Sequence, residues 1–114
     1  TYLNIIKEYE AIEVPAKLAE MKAKLMAMTA LYEKSVATVT ADKDAQYIDF
    51  HARRLVEIAG HIIMGYLLLQ DSMRNESFKR STENYIRYGE AETNKNASFI
   101  ENFKPESIEN YLNN

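Results

Sequence analysis

Apolar residues in this chain recur every three or four positions, and three long stretches of that kind organise the rest of the sequence. Leu18, Met21, Leu25, Met28, Tyr32, Ser35 and Val39 form the first stripe, with Lys17, Glu20, Lys24 and Lys34 left for solvent. Such steps keep residues on one side of a helix, so a helix over about 15–39 is predicted. Pro15 disfavours helical geometry at Val14 and suits a first helical turn, so the chain breaks there and starts again. Upstream, Leu3, Ile5, Ile6, Tyr9 and Ile12 predict a short helix over 1–12 that buries one side.

The polar run 40–44 interrupts the pattern and holds two acidic capping residues, Asp42 and Asp44, where a new helix favours negative charge. The second stripe is Ile48, Ala52, Leu55, Ala59, Ile62, Tyr66, Leu69 and Met73. It predicts one helix over about 44–73, roughly 45 Å long. Its middle, 58–69, carries polar side-chain atoms only at His61 and Tyr66, so it reads as apolar nearly all round and therefore enclosed. Gly60 and Gly65 lie inside it, where each costs roughly 0.5 to 1 kcal/mol relative to Ala; the expectation is that both permit a neighbouring helix to approach.

Asn75 or Ser77 is positioned to cap a third helix, whose stripe reads Phe78, Thr82, Tyr85, Gly89, Glu92, Asn96, Phe99 and Phe103. That stripe is apolar at both ends and polar in the middle, the weakest core-facing surface in the chain. Pro105 ends the helix, and 106–114 reads as a short amphipathic tail with Ile108, Tyr111 and Leu112 as anchors. Short connections make successive helices antiparallel neighbours. The predicted fold is all-α: a single up-down antiparallel bundle of three long helices over 1–114, with the N-terminal helix or the C-terminal tail as a fourth element.

Composition agrees with one globular core. The hydrophobic share is 46% against 27% charged, and three glycines and two prolines are too few for a fold made of many strands and turns. Cysteine is absent, which excludes disulfides and thiolate metal sites and leaves the redox compartment open, with an intracellular, cytoplasmic setting favoured. No basic start followed by an apolar run precedes the helices; Thr1 at the start suggests a removed leader or a piece of a longer chain. The run 58–69 is too short for a membrane span, which needs roughly 20 residues. Segments 1–40, 41–75 and 76–114 carry net charges of 0, −1 and −2, with no basic face of the kind that neutralises phosphates, so nucleic acid is set aside.

Candidate chemistry is sparse. Glu57 and His61 lie four apart on one helix face and are able to reach one metal ion, but di-iron bundles use Glu and His three apart, twice, with two further carboxylates. The competing reading, a core histidine hydrogen-bonded to a neighbouring helix, is favoured. His51 with Asp49 lacks a sharp turn presenting serine and a glycine-rich loop supplying oxyanion donors. Glu90 and Glu92, two apart, face different sides. Arg53 and Arg54 with Glu57 read as surface ion pairing, with anion or partner binding as the alternative. Tyr47, Tyr66, Tyr85 and Tyr88 suit either interhelical seams or an interface with another protein. No catalytic, cofactor-binding or metal-ligating residue is assigned.

Residues 49–69, Asp-Phe-His-Ala-Arg-Arg-Leu-Val-Glu-Ile-Ala-Gly-His-Ile-Ile-Met-Gly-Tyr-Leu-Leu-Leu, continued by 85–93, Tyr-Ile-Arg-Tyr-Gly-Glu-Ala-Glu-Thr, resemble the extra C-terminal helical domain of certain bacterial acyl-CoA dehydrogenases. The likeness covers about 45–103 and is one of helix packing. It implies the tail of a longer flavoenzyme whose FAD takes two hydrogens from the α and β carbons of an acyl-CoA, with FAD and acyl-CoA bound by the parent enzyme only. It also implies an isolated chain that is inactive and colourless. Two functions follow. In the first, the bundle packs on the dehydrogenase body or a second subunit and supports quaternary structure, including a homo-oligomer. In the second, it is a stand-alone module holding a small apolar ligand or a partner helix, with Met21, Met28, Met64 and Met73 as adaptable lining.

Overall fold

A computed structural model describes residues 1–103, and the tail 106–114 with its three apolar anchors lies outside them. Among the described residues four α-helices follow one another: α1 (Tyr2–Glu10), α2 (Ala19–Thr40), α3 (Ala45–Arg74) and α4 (Lys79–Asn102), with 3₁₀ turns at Ala16–Leu18 and Glu76–Phe78. No strand occurs among the described residues. The three long helices pack mutually and α1 lies against α3 and α2, so the N-terminal helix is a fourth element of the bundle among the described residues. Its principal extents are 52 × 24 × 16 Å, those of a slender bundle.

The helix ends form where the polar residues stand. Pro15 opens the turn before α2, with its carbonyl accepting from the Leu18 N–H at 2.9 Å. Between α2 and α3, Asp42 Oδ1 accepts from the Asp44 N–H at 2.8 Å, and Asp44 Oδ1 accepts from the Gln46 N–H at 2.9 Å. The second bond caps α3 by satisfying an N–H that has no partner within the helix. After α3, Asn75 turns to extended backbone at φ −146°, and its side chain accepts from the Ser77 N–H at 3.0 Å. These two short corners reverse the chain twice.

All seven residues of the first stripe, from Leu18 to Val39, are buried. Around them close Ile58, Ile62 and Leu69 of α3, Ile86 and Ile100 of α4, and Ile6 of α1. Each such side chain contributes roughly 1.5 to 3 kcal/mol when fully taken from water. Tyr9 stacks on Tyr66 with centroids 6.0 Å apart, and Lys7 pairs with Glu33 at 3.0 Å. Together with Ile6, these contacts hold α1 to α3 and α2.

Three expectations are corrected. On α3 the buried residues are Tyr47, His51, Ile58, Ala59, Ile62, Gly65, Tyr66, Leu69 and Ser72; the middle of the predicted stripe, Ala59, Ile62, Tyr66 and Leu69, is buried as expected, but at both ends the buried face falls one residue earlier, and Ala52 and Met73 are exposed. His51 and Ser72 are polar, yet burial is tolerated because each finds a hydrogen-bond partner. His51 Nε2–H donates to the Phe103 carbonyl at 3.2 Å, and Ser72 Oγ lies 2.7 Å from Thr82 Oγ1.

On α4 the buried stripe is Thr82, Ile86, Gly89, Thr93, Asn96 and Ile100, while Phe78 is exposed and Phe99 borders solvent. The middle of α4 is a close crossing rather than a weak surface. A Cβ at Gly89 would sit 3.3 Å from Met28 Cε and 3.4 Å from His61 Cβ, so α2, α3 and α4 converge where only a small residue fits.

The third correction concerns 58–69, which is enclosed on one side only. Gly60 is exposed and a Cβ there would meet nothing within 4 Å. Met64 is 44% and Leu67 38% exposed. Gly65 alone of the pair meets the close-approach expectation, since its Cβ would fall 2.5 Å from Leu25 Cδ2.

Candidate functional site

Glu57 and His61 both turn toward α4 but are used there separately. Glu57 pairs with Arg53 Nε at 3.4 Å and accepts from Asn96 Nδ2 at 3.4 Å. His61 Nδ1 lies 3.2 Å from the Tyr85 hydroxyl, and its ring meets Tyr88 edge-on at 5.5 Å. That is the arrangement of a seam histidine tied to a neighbouring helix. Among the described residues no group of three or more His, Cys, Asp or Glu side chains is placed to hold a metal ion.

His51 is fully buried in a box of aromatic rings. Tyr47 and Phe50 meet it edge-on at 4.9 and 5.1 Å, Phe99 at 6.0 Å and Phe103 at 6.4 Å, whereas Asp49 is exposed. Because a carbonyl only accepts, Nε2 carries the proton and Nδ1 is the bare nitrogen, buried without a hydrogen-bond partner. Burial pushes the His51 imidazole below its usual range, the Phe103 bond opposes this, and the Arg54 charge adds to it. The ring is a neutral latch between α3 and the end of α4.

A pH dependence follows. The unfolded histidine binds a proton below about pH 6.5 while the folded one resists it, and stability rises with pH wherever the unfolded state holds more protons. His51 therefore costs stability as pH falls below that value. The loss between pH 7 and 5 is expected to be smaller in His51→Gln than in the parent chain, as read from urea midpoints at both pH values; equal losses would contradict the buried neutral ring.

Arg54 departs from the ion-pair reading. Its guanidinium lies 4.1 Å from the Phe99 ring centre and 4.9 Å from that of Phe50, and it donates to the Phe50 carbonyl at 2.9 Å. It caps an aromatic stack in which Phe103 lies 5.0 Å from both Phe50 and Phe99. Sequence reasoning missed this cluster, although the four-residue spacings Phe50–Arg54 and Phe99–Phe103 signal it. Arg53 remains a surface pair with Glu57, and its side chain is 88% exposed. Glu90 turns to Lys24 at 3.5 Å while Glu92 pairs along its own helix with Lys95 at 2.7 Å. The Lys95 ammonium holds the Glu92 carboxyl below the usual carboxylate range.

The tyrosines divide. Tyr47 and Tyr66 are buried, Tyr85 is half-buried on the α3–α4 seam, and Tyr88 is 55% exposed. Burial, aided by Glu10, pushes the Tyr66 phenol up to about 12, and its hydroxyl is buried without a partner. An unsatisfied buried hydroxyl contributes nothing and costs its desolvation. Tyr66→Phe is therefore expected to leave the melting temperature unchanged or higher; a fall worth about 1 kcal/mol or more would reveal a bond to the hydroxyl.

The methionines do not gather around a ligand either. Met21 and Met28 are in the core, whereas Met64 and Met73 face solvent. An apolar cleft of about 590 Å³ is an open groove between Tyr2 and Leu3 of α1 and Tyr32 and Val36 of α2. A more polar one of about 360 Å³ lies between Arg54 and Asn96.

Among the described residues both histidines are tied into the seams of an all-helical bundle. Residues 1–108 match the family described as Acyl-CoA dehydrogenase C terminal, and the chain belongs to that family. In the crystal structure of the acyl-CoA dehydrogenase family protein from Porphyromonas gingivalis, a chain 42% identical to this one superposes with a TM-score of 0.86, over 91% of this chain and 90% of that one. No curated protein sequence matches.

The buried polar atoms left without partners are His51 Nδ1, Tyr66 Oη and Thr93 Oγ1. None of these three residues lines the open clefts beside Tyr2 or Arg54, where the buried side chains carrying polar atoms are Tyr32 and Asn96 respectively. Among the described residues no helix is long and apolar enough to cross a membrane.

Proposed function

We propose that this chain is the non-catalytic C-terminal helical domain of a longer, FAD-dependent acyl-CoA dehydrogenase, packing on the enzyme body or a second subunit to support quaternary structure. One observation carries the reading: the central helix buries His51 and Ile62 on one side and leaves Val56, Gly60, Met64 and Leu67 uncovered on the other. Runs of exposed apolar side chains on a soluble fold mark interaction surfaces. In this reading FAD and acyl-CoA belong to the parent enzyme's other domains.

Deleting the bundle from the parent enzyme and weighing the assembly tests it. A smaller or less stable oligomer that still holds flavin is the expected result; unchanged mass and stability would overturn it. The groove beside Tyr2 favours a second reading, a site for a small apolar ligand. Ligand sites usually bury most of their occupant, however, and this groove is open.

A further inference from the structure

Gly60 is a helical glycine for which the chain itself supplies no reason. It faces solvent in mid-helix, and a Cβ there would touch nothing within 4 Å, yet glycine weakens a helix interior. A glycine kept on an open helix face is accounted for when another helix crosses over it.

The residues around Gly60 say which helix. At 3.6 residues per turn, Asp49, Arg53, Val56, Met64, Leu67, Asp71 and Arg74 all fall within about 40° of Gly60. The middle of this face is apolar and each end carries one acid and one base. Turned end over end, the face matches itself. With residue numbers summing to about 124, Arg53 comes opposite Asp71 and Asp49 opposite Arg74, while Met64 lies over Gly60. A parallel register would set Arg53 against Arg53 and Asp71 against Asp71. In the single chain Arg53 pairs with Glu57 at 3.4 Å and Asp71 with Arg74 at 3.5 Å, and such exposed pairs exchange at little cost.

We infer that two copies of this chain pair through this face, antiparallel about a two-fold axis near residue 62, with Met64 of each copy seated over Gly60 of the other. The inference rests on the packing role above and names the second subunit's contact. An isologous interface of this kind is self-complementary. The face is about 38 Å long and about 10 Å wide, well short of the roughly 800 Å² per partner of a standard stable interface. The isolated chain therefore pairs weakly, and contacts elsewhere in the parent enzyme complete the dimer.

Because the chain has no cysteine, single cysteines report the register directly. Gly60→Cys and Met64→Cys proteins, mixed at high concentration under mild oxidation, are expected to form the mixed disulfide well beyond the statistical share. Gly60→Gln, placed in open space, is expected to keep or raise the melting temperature while weakening pairing about tenfold or more in sedimentation. Arg53→Asp is expected to weaken pairing, and Asp71→Arg to restore it in the double variant.

Statistical disulfides with Gly60→Gln pairing as well as the parent chain would overturn the inference. If Met64 is nonetheless covered in the parent enzyme, the occupant is a helix of the dehydrogenase body. Self-pairing then fails while the packing role stands.

Discussion

Ile62→Ala is expected to cost about 2 to 5 kcal/mol, the range for truncating a large aliphatic side chain in a packed core. Ile62 is 0% exposed at the middle of α3, among the buried residues of the core shared by α2, α3 and α4. The loss includes both the transfer of its methyl groups and the cavity left behind, which three packed helices fill poorly. Each kcal/mol shifts the melting temperature of a domain near this size by roughly 4 to 8 °C. The expected fall is therefore on the order of 10 to 30 °C, measured by helix ellipticity on heating. Val56→Ala, at a position 50% exposed on the same helix, serves as the control and is expected to change little. A fall for Ile62→Ala no larger than the control's would mean that α3 is not the centre of the core.

Gly65→Val and Gly60→Ala are expected to move stability in opposite directions, although both replace a glycine of the same helix. At Gly65 even the first added carbon falls 2.5 Å from Leu25 Cδ2. Leu25 is 0% exposed, so its side chain has no free volume to move into, and overpacking of this kind costs about 1 to 3 kcal/mol. At Gly60 the added methyl enters open space, and the helix gains roughly 0.5 to 1 kcal/mol from the lost backbone freedom. Chemical unfolding of both variants checks the signs. Adding Leu25→Ala to Gly65→Val should recover part of the loss, because neighbours in contact are coupled. A stabilised Gly65→Val protein would show that α2 and α3 do not approach as closely as described.

The helices were legible in the sequence because their signals are local. Every member of the α2 stripe is buried, and Asp44 caps α3 where its charge and position predicted. What was not legible depends on neighbours. Single-helix periodicity placed Ala59, Ile62, Tyr66 and Leu69 of α3 on the core face, but near its ends the buried positions are the polar His51 and Ser72, which find partners at Phe103 and Thr82. On α4 the stripe placed Thr82, Gly89 and Asn96 on the core face, where they lie, and erred at its aromatic positions: Phe78 and Phe99 are exposed while Ile86, Thr93 and Ile100 are buried.

The candidate site shows the same division. His61 bound to Tyr85 across a seam was the favoured reading of an isolated histidine, and the separation of Glu90 from Glu92 followed from helix geometry alone. The Arg54 clamp on Phe50 and Phe99 was missed because arginine beside arginine reads as surface charge, and only the fold brings Phe99 beneath it. The open face of α3 was hidden for a related reason. An all-apolar run suggests burial on every side, and a bundle of this size supplies neighbours for only part of the circumference. That uncovered remainder is the surface on which the proposed packing role rests.

Methionine oxidation under a brief pulse of hydroxyl radical reads that surface residue by residue, since it follows exposure. Met64 should oxidise readily in the isolated chain at low concentration and be protected in the assembled parent enzyme, with the buried Met28 slow in both. Equal oxidation of Met64 in the two states would contradict a packing role for the outer face of α3.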